Sequence, residues 1–166
     1  MKVMLMVVAV IVIAGCAFGQ APAQPAPAQP TTTPPSPGAE AAVYEAVARY
    51  QISTWKLGAH TYCFRVKGQD ADKEFLDRLK PFPVKPESAC VQKRNPNVYT
   101  TSIIDKHTKK TAVMFGLGVA YWISPSEAAV DGSYMCGSQC MQGGIYHLVL
   151  DTGRWKVTRF ELRISE

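Results

Sequence analysis

The chain has 166 residues, a formal charge of +5, and 19% charged against 47% hydrophobic residues. That is enough apolar material to bury one domain's core and too little charge for a disordered chain. Its lysines and arginines are scattered among acids, with no basic run interleaved with aromatics, which argues against nucleic acid as a partner.

Met1 to Ala14, MKVMLMVVAVIVIA, places the single cation Lys2 before an unbroken apolar run. This is the layout of an export signal, and it is too short to span a bilayer. The run ends at Ile13-Ala14-Gly15-Cys16, which resembles the lipobox of bacterial lipoproteins. The resemblance implies a signal peptide over residues 1–15 and cleavage before Cys16. Acylation of the Cys16 sulfur and of the new amino group would then supply the several chains that stable anchoring needs. Ala17 after the cysteine implies the outer membrane, facing the periplasm or the surface. The alternative is a cut after Gly19, which leaves a soluble periplasmic or secreted chain.

Gln20 to Gly38 holds seven prolines and a tandem APAQP pair. Such a stretch buries little and favours extended polyproline conformations, so it reads as a semi-rigid spacer of up to ~60 Å at about 3.1 Å per residue. The expected organisation is therefore a signal peptide over 1–15, a lipidated cysteine and proline-rich linker over 16–38, and one α+β domain over 39–166.

Within that domain, Ala39 to Lys56 places Val43, Tyr44, Val47, Ala48, Ile52 and Trp55 on one stripe at helical spacing. Asp72 to Lys80 predicts a shorter helix that opens at an aspartate cap and ends at Pro81. From Val98 onward the pattern is β. Along Thr111 to Ile123, the large residues Val113, Phe115, Leu117, Val119, Tyr121 and Ile123 alternate with small ones, as if facing a single core. Gly116 and Gly118 suggest a close approach by the long helix. Gly144 to Leu150 and Arg154 to Ile164 flank a short turn at Asp151-Thr152-Gly153. In the last strand the apolar set switches from odd positions (Trp155, Val157) to even ones (Phe160, Leu162, Ile164), which requires a bulge near Thr158 or Arg159.

The expected fold is α+β: an N-terminal helix packed on a curved antiparallel sheet of four to five strands, with a short extra helix. The segments TYCFRV, DADKEFLDRLKP, VKPESAC and CGSQCMQGGIYHLVLDTGRWKV resemble a group of exported bacterial domains, and the helix-then-sheet order is similar to the cystatin and NTF2-like superfolds. The resemblance implies a fold and no activity, since these superfolds host enzymes, inhibitors and binding modules alike. The Gln-x-Val-x-Gly hairpin of cystatin inhibitors is absent.

Apart from Cys16, four cysteines remain, an even number in an exported domain and hence two disulfides with three connectivities. Pairing Cys63 with Cys90 and Cys136 with Cys140 strains the strand meander least. The first bridge would contribute up to about 3 kcal/mol and the second less. The competing reading of the Cys136 to Met141 stretch is a copper or thiol-redox site, with Met135, Cys136, Cys140, Met141 and His147 as soft or imidazole ligands. The C-x3-C spacing resembles the purple-copper electron-transfer loop, but Gly144 stands where that family has a histidine.

No catalytic residues emerge. His60, His107 and His147 lack a neighbouring nucleophile motif, and neither a phosphate loop nor a dinucleotide fingerprint occurs. No cofactor is expected. Glu87, Asp105, Glu127, Asp131 and Glu161 read as turn or edge charges. Tyr121, Trp122, Tyr134, Tyr146 and Trp155 are candidates to line a cleft for a small apolar ligand, or to fill the core. The sequence thus points to an envelope-anchored binding or structural module. Its partners would be the membrane, through a lipid anchor, and an envelope protein or small ligand. A metal or redox protein and an enzyme with an NTF2-like cavity are the alternatives.

Overall fold

A computed structural model of the chain describes residues 30–55, 58–95 and 100–165. The signal segment, Cys16 and most of the proline-rich stretch lie outside them. The expectation of four or five antiparallel strands does not hold: the fold is one mixed sheet of nine strands, with one long helix and a short one.

Helix α1 spans Ala39–Trp55 and buries Val43, Tyr44, Val47, Ala48 and Ile52 of the predicted stripe, while its sixth member, Trp55, is half-buried. Gln51 is buried with them. Helix α2, Lys73–Arg78, is capped by Asp72, whose carboxylate accepts from the Phe75 backbone N–H at 2.8 Å.

The main run of the sheet is β1 (Thr61–Val66), β6 (Ala112–Ser124), β7 (Glu127–Gly137), β8 (Cys140–Asp151) and β9 (Arg154–Ser165). The β1–β6 pair is parallel and the rest of this run is antiparallel. On its other edge β1 pairs with β2 (Gln69–Asp70) and, in parallel, with β3 (Val84–Pro86). A ribbon of β4 (Cys90–Asn95) and β5 (Thr100–Asp105) joins β7 at Ser102 opposite Gly137.

The β pattern read from Val98 onward left β1 to β4 and β7 unmarked, and for β7 the reason is physical. In β7, Glu127 and Asp131 are exposed while Ala128, Val130 and Gly132 are buried. Asp131 stands on the solvent face of a central strand rather than at a turn, while Glu127 directly follows the turn at Pro125-Ser126.

Three bulges set which side chains face the helix. Leu117 opposes Gly132 but Ala120 opposes Val130, so β6 has one extra residue at Gly118-Val119. The period slips there. Val113, Phe115 and Leu117 are buried as expected, but Ala120 and Trp122 replace Val119, Tyr121 and Ile123 in the core. Those three become 39–40% exposed on the other face. In β9, His147 opposes Arg159 while Leu148 opposes Val157, which makes Thr158 the extra residue, as the parity switch requires. A second bulge in β9 lifts Arg163 out, between Ile164 opposite Gly143 and Leu162 opposite Gly144.

β1 ends at Val66, opposite Leu117, which leaves the rest of this edge of β6 without a strand partner beyond it. The Tyr44 hydroxyl donates to the Gly118 carbonyl at 2.9 Å, and Thr31 exchanges two backbone hydrogen bonds with Trp122. Helix and spacer thus cover an otherwise open strand edge. Burial, followed by nearby Glu40, pushes the Tyr44 phenol up and keeps it a donor. Among the described residues no helix is long and apolar enough to cross a membrane.

The sheet face opposite α1 carries a second small cluster, of Cys63, Cys90, Ile103 and Ala112, beneath the β4–β5 ribbon. Asp105 anchors that ribbon. It is fully buried, not an edge charge. Its carboxylate accepts from Lys85 Nζ at 2.6 Å, Thr61 Oγ1 at 3.1 Å and the backbone N–H groups of His107 and Thr108 at 2.8 and 3.0 Å. The Lys85 ammonium first, then the Thr108 amide, hold its carboxyl well below the usual aspartate range. A folded-state pKa below the unfolded one stabilises the fold above the unfolded value, about 3.9, and the contribution is lost as pH falls through the folded value. The Asp105→Asn variant is expected to melt below the native protein at pH 7, with the gap closing as pH falls from about 5 toward 2. A gap independent of pH in thermal unfolding would remove the ionised carboxylate from this account.

Candidate functional site

The two disulfides are Cys63–Cys90 and Cys136–Cys140, with Cα separations of 6.3 and 5.2 Å. The first ties β1 to the start of β4 and closes the loop that contains α2. The second closes the turn between β7 and β8. That turn grips β5: Ser138 Oγ accepts from the Thr101 amide at 3.0 Å, and the Ser138 amide donates to the Thr101 carbonyl at 3.2 Å. A Cβ at Gly137 would stand 2.3 Å from that carbonyl, so the contact requires glycine.

Of the five ligands proposed for copper, both cysteines are joined to each other. Met135 and Met141 are direct cross-strand neighbours. His147 is six residues along β8 from Met141, about 20 Å away at strand rise. Its Nε2 lies 3.0 Å from Arg159 Nη2 and 3.3 Å from Glu161 Oε2. That histidine, ahead of the two flanking arginines, holds the Glu161 carboxyl below its ordinary range. Among the described residues, no group of three or more His, Cys, Asp or Glu is placed to hold a metal ion.

The five aromatics do not meet around a cleft. Trp122, Tyr134 and Tyr146 are buried in the core, and Trp155 packs edge-on to Trp122 with ring centroids 5.6 Å apart. Tyr121 points to the opposite face, 40% exposed.

Several shallow concavities occur among the described residues; the one that gathers the sheet's polar groups lies on the solvent side of β1, β6, β7 and β8, a groove of about 370 Å³. Its lining includes Arg65, Gly116, Gly118, Asp131, Ser133 and Arg163. Each comes from a local rule. Arg65, Gly116 and Ser133 stand in one cross-strand row, continued by Gly143 on β8. Residues directly opposed across strands share a face. Two glycines in that row lower the floor, and the bulge at residue 163 swings an arginine to the rim.

The glycines do not admit the helix, as the sequence suggested. A Cβ at Gly116 would lie 2.9 Å from Ser133 Oγ and 3.7 Å from Arg65 Nη2, and one at Gly118 would lie 3.0 Å from the Asp131 Cβ. Both crowd the face away from α1. Gly132, by contrast, faces inward, where its Cβ would come within 2.5 Å of the Tyr146 ring.

Arg65 reaches Glu87 only at 3.6 Å, and Arg163 reaches Glu161 at 3.5 Å. Both guanidinium groups are about half exposed. They therefore keep donors for a ligand. The Asp131 carboxylate makes no hydrogen bond or ion pair among the described residues. From below, the Gln51 amide donates to Tyr146 Oη at 3.2 Å and to the Ser133 carbonyl at 3.4 Å, which pins the floor strand to the helix. Sequence reasoning missed Arg65, Ser133, Gln51 and Arg163 because only the register across strands brings them together. The glycine pairs 116/118 and 143/144 were the available signal.

The chain matches no protein-family model, none of the curated proteins and no solved structure.

The loop closed by Cys63–Cys90 has a sequence separation of 27, that closed by Cys136–Cys140 only 4. Loop entropy then gives about 3.5 and about 2 kcal/mol respectively. Replacing each pair by alanine should lower unfolding stability in urea in that order. Equal losses, or a larger loss for the second pair, would contradict the ranking.

Proposed function

We propose that the protein is an envelope-anchored binding module that holds a polar ligand in the groove between Arg65 and Arg163. The groove itself carries the reading. Glycines flatten a solvent-facing sheet over about 370 Å³, two arginines flank it with donors to spare, and a free carboxylate at Asp131 stands beside Ser133. The guanidinium groups suit a carboxylate or similar anion, and Asp131 with Ser133 suits the hydroxyl or amino donors of the same molecule. A ligand that is anionic at one end and rich in hydroxyls at the other, such as an acidic sugar, satisfies both.

Export and anchoring rest on Met1 to Ala14 and on the cysteine that ends Ile13-Ala14-Gly15-Cys16. The proline-rich spacer fits the same picture, since Thr31 within it pairs with β6 and so fixes where the tether leaves the domain.

Two measurements test the halves separately. Expressed in a bacterium, the full chain is expected to partition into detergent and its Cys16→Ser variant into the aqueous phase; an aqueous native protein would mean that it is exported without an anchor. For the groove, titration with a short uronic-acid oligosaccharide should shift the amide resonances of Gly116, Gly118, Ser133 and Gly143. The Arg65→Ala/Arg163→Ala pair should weaken binding by about tenfold or more. Equal shifts with a neutral oligosaccharide, or no shifts in the groove, would overturn the polar-ligand reading.

A further inference from the structure

The chain has six methionines, and three of them, Met1, Met4 and Met6, belong to the leader. The other three stand in a single row across adjacent strands: Met114 of β6 opposes Met135 of β7, and Met135 opposes Met141 of β8. Every methionine of the folded domain is thus in one place. Directly opposed residues share a face with Cβ atoms about 4.5–5.5 Å apart, and an unbranched side chain with three torsions can bring its sulfur to a point shared with its neighbours. All three are half-buried. The row lies on the solvent-side face of the sheet, at the rim of the Cys63–Cys90 cluster, and Gln92 of β4 reaches over it to place Nε2 3.4 Å from the Met135 sulfur.

We propose that Met114, Met135 and Met141 form a binding site for a soft monovalent cation, Cu(I), through three thioether sulfurs. Thioethers are uncharged and soft, so they select Cu(I) over the hard divalent cations and over zinc. They also suit a disulfide-forming chain. Cys63, Cys90, Cys136 and Cys140 are all tied up in bridges and offer no thiolates, whereas a methionine sulfur keeps its lone pairs when the thiols are oxidised. The set replaces the one drawn from the sequence: Met114 takes the place of the cysteines, and His147 is too far along β8 to join. The site is separate from the arginine groove and does not depend on the groove's ligand.

The rival account is packing, in which flexible methionines merely fill space beside Cys63 and Ile103. Leucine would serve that purpose equally well and cannot bind copper, which makes it the discriminating substitution. The test uses the disulfide-bonded protein labelled with 13C at the methionine methyls, with Cu(I) delivered in competition with bicinchoninate and Ag(I) as an air-stable substitute. The expected result is one equivalent bound, movement of the three methyl resonances of the row together, and a metal absorption edge with sulfur neighbours only. Met114→Leu, Met135→Leu and Met141→Leu should each lower Cu(I) affinity by about tenfold or more while leaving the melting temperature of the metal-free protein nearly unchanged. Failure to compete with the chelator, or binding that survives the triple leucine variant, would overturn the proposal.

Discussion

β6 carries two residues more than β7 can pair, one at Gly118-Val119 and one at Ile123, and much of the molecule follows from where the first of them sits. Before Gly118 the odd positions face the helix; after Val119 the even positions do. The slip puts Trp122 into the core, where it meets Trp155, and turns Val119, Tyr121 and Ile123 outward. It also turns the Gly118 carbonyl toward the Tyr44 hydroxyl, so the helix itself closes the strand edge left bare beyond β1. On the solvent face it leaves a glycine beside Asp131, where a side chain would crowd the aspartate's own Cβ. One inserted residue thus links the core, the protected edge and the groove.

The two faces of the sheet are divided by chemistry as well as by burial. The helix side is aromatic and aliphatic, with Phe64 stacked on Phe115 at 5.0 Å and Tyr146 against Phe160 at 4.7 Å. Gln51 is the polar exception, and the hydrogen bonds of its amide nitrogen to Tyr146 and to the Ser133 carbonyl fasten helix to sheet, while its Oε1 is buried with no partner among the described residues. The other face changes along its length. Under the β4–β5 ribbon it holds a disulfide, Ile103 and the methionine row; two residues further along each strand it becomes glycine, serine and arginine. The buried Asp105 keeps the ribbon where it is, joining β5 to β1 through Thr61 and to β3 through Lys85. The boundary between covered and open sheet is therefore held by this carboxylate together with the Cys63–Cys90 bridge and the grip of Ser138 on Thr101.

Much of this was legible from local pattern. The stripe of α1, the Asp72 cap, the bulge at Thr158 and the pairing of the four cysteines each depend on residues close in sequence or on parity within one strand. What local pattern could not supply was the sheet. β7 reads as polar and turn-rich because its alternation is acid against alanine or glycine, a weak contrast for a strand that is central and has a solvent face. The parallel pairs that β1 makes with β3 and β6 join segments separated by a helix or by four further strands, and no periodicity announces them. The slip in β6 was hidden for the same reason: a run of Gly, Val, Ala and Tyr continues the alternation on paper whether or not a residue is skipped.

The groove belongs to this unreadable part, and of the methionine row the sequence offered Met135 and Met141 while only the register adds Met114. Arg65, Gly116, Ser133 and Gly143 come from four strands, and Met114, Met135 and Met141 from three, so neither set has a spacing that a motif could record. The stretch with the most conspicuous motif, Cys136 to Cys140, spends its cysteines on closing a turn that holds β5 by the Thr101 backbone. Its contribution to any site is geometric. By fixing the β7–β8 register at Gly137 opposite Cys140, the turn determines that Met135 faces Met141 and, one pair further, that Ser133 faces Gly143. A one-residue slip at that turn would send each of these side chains to the opposite face and dissolve the methionine row and the groove floor together.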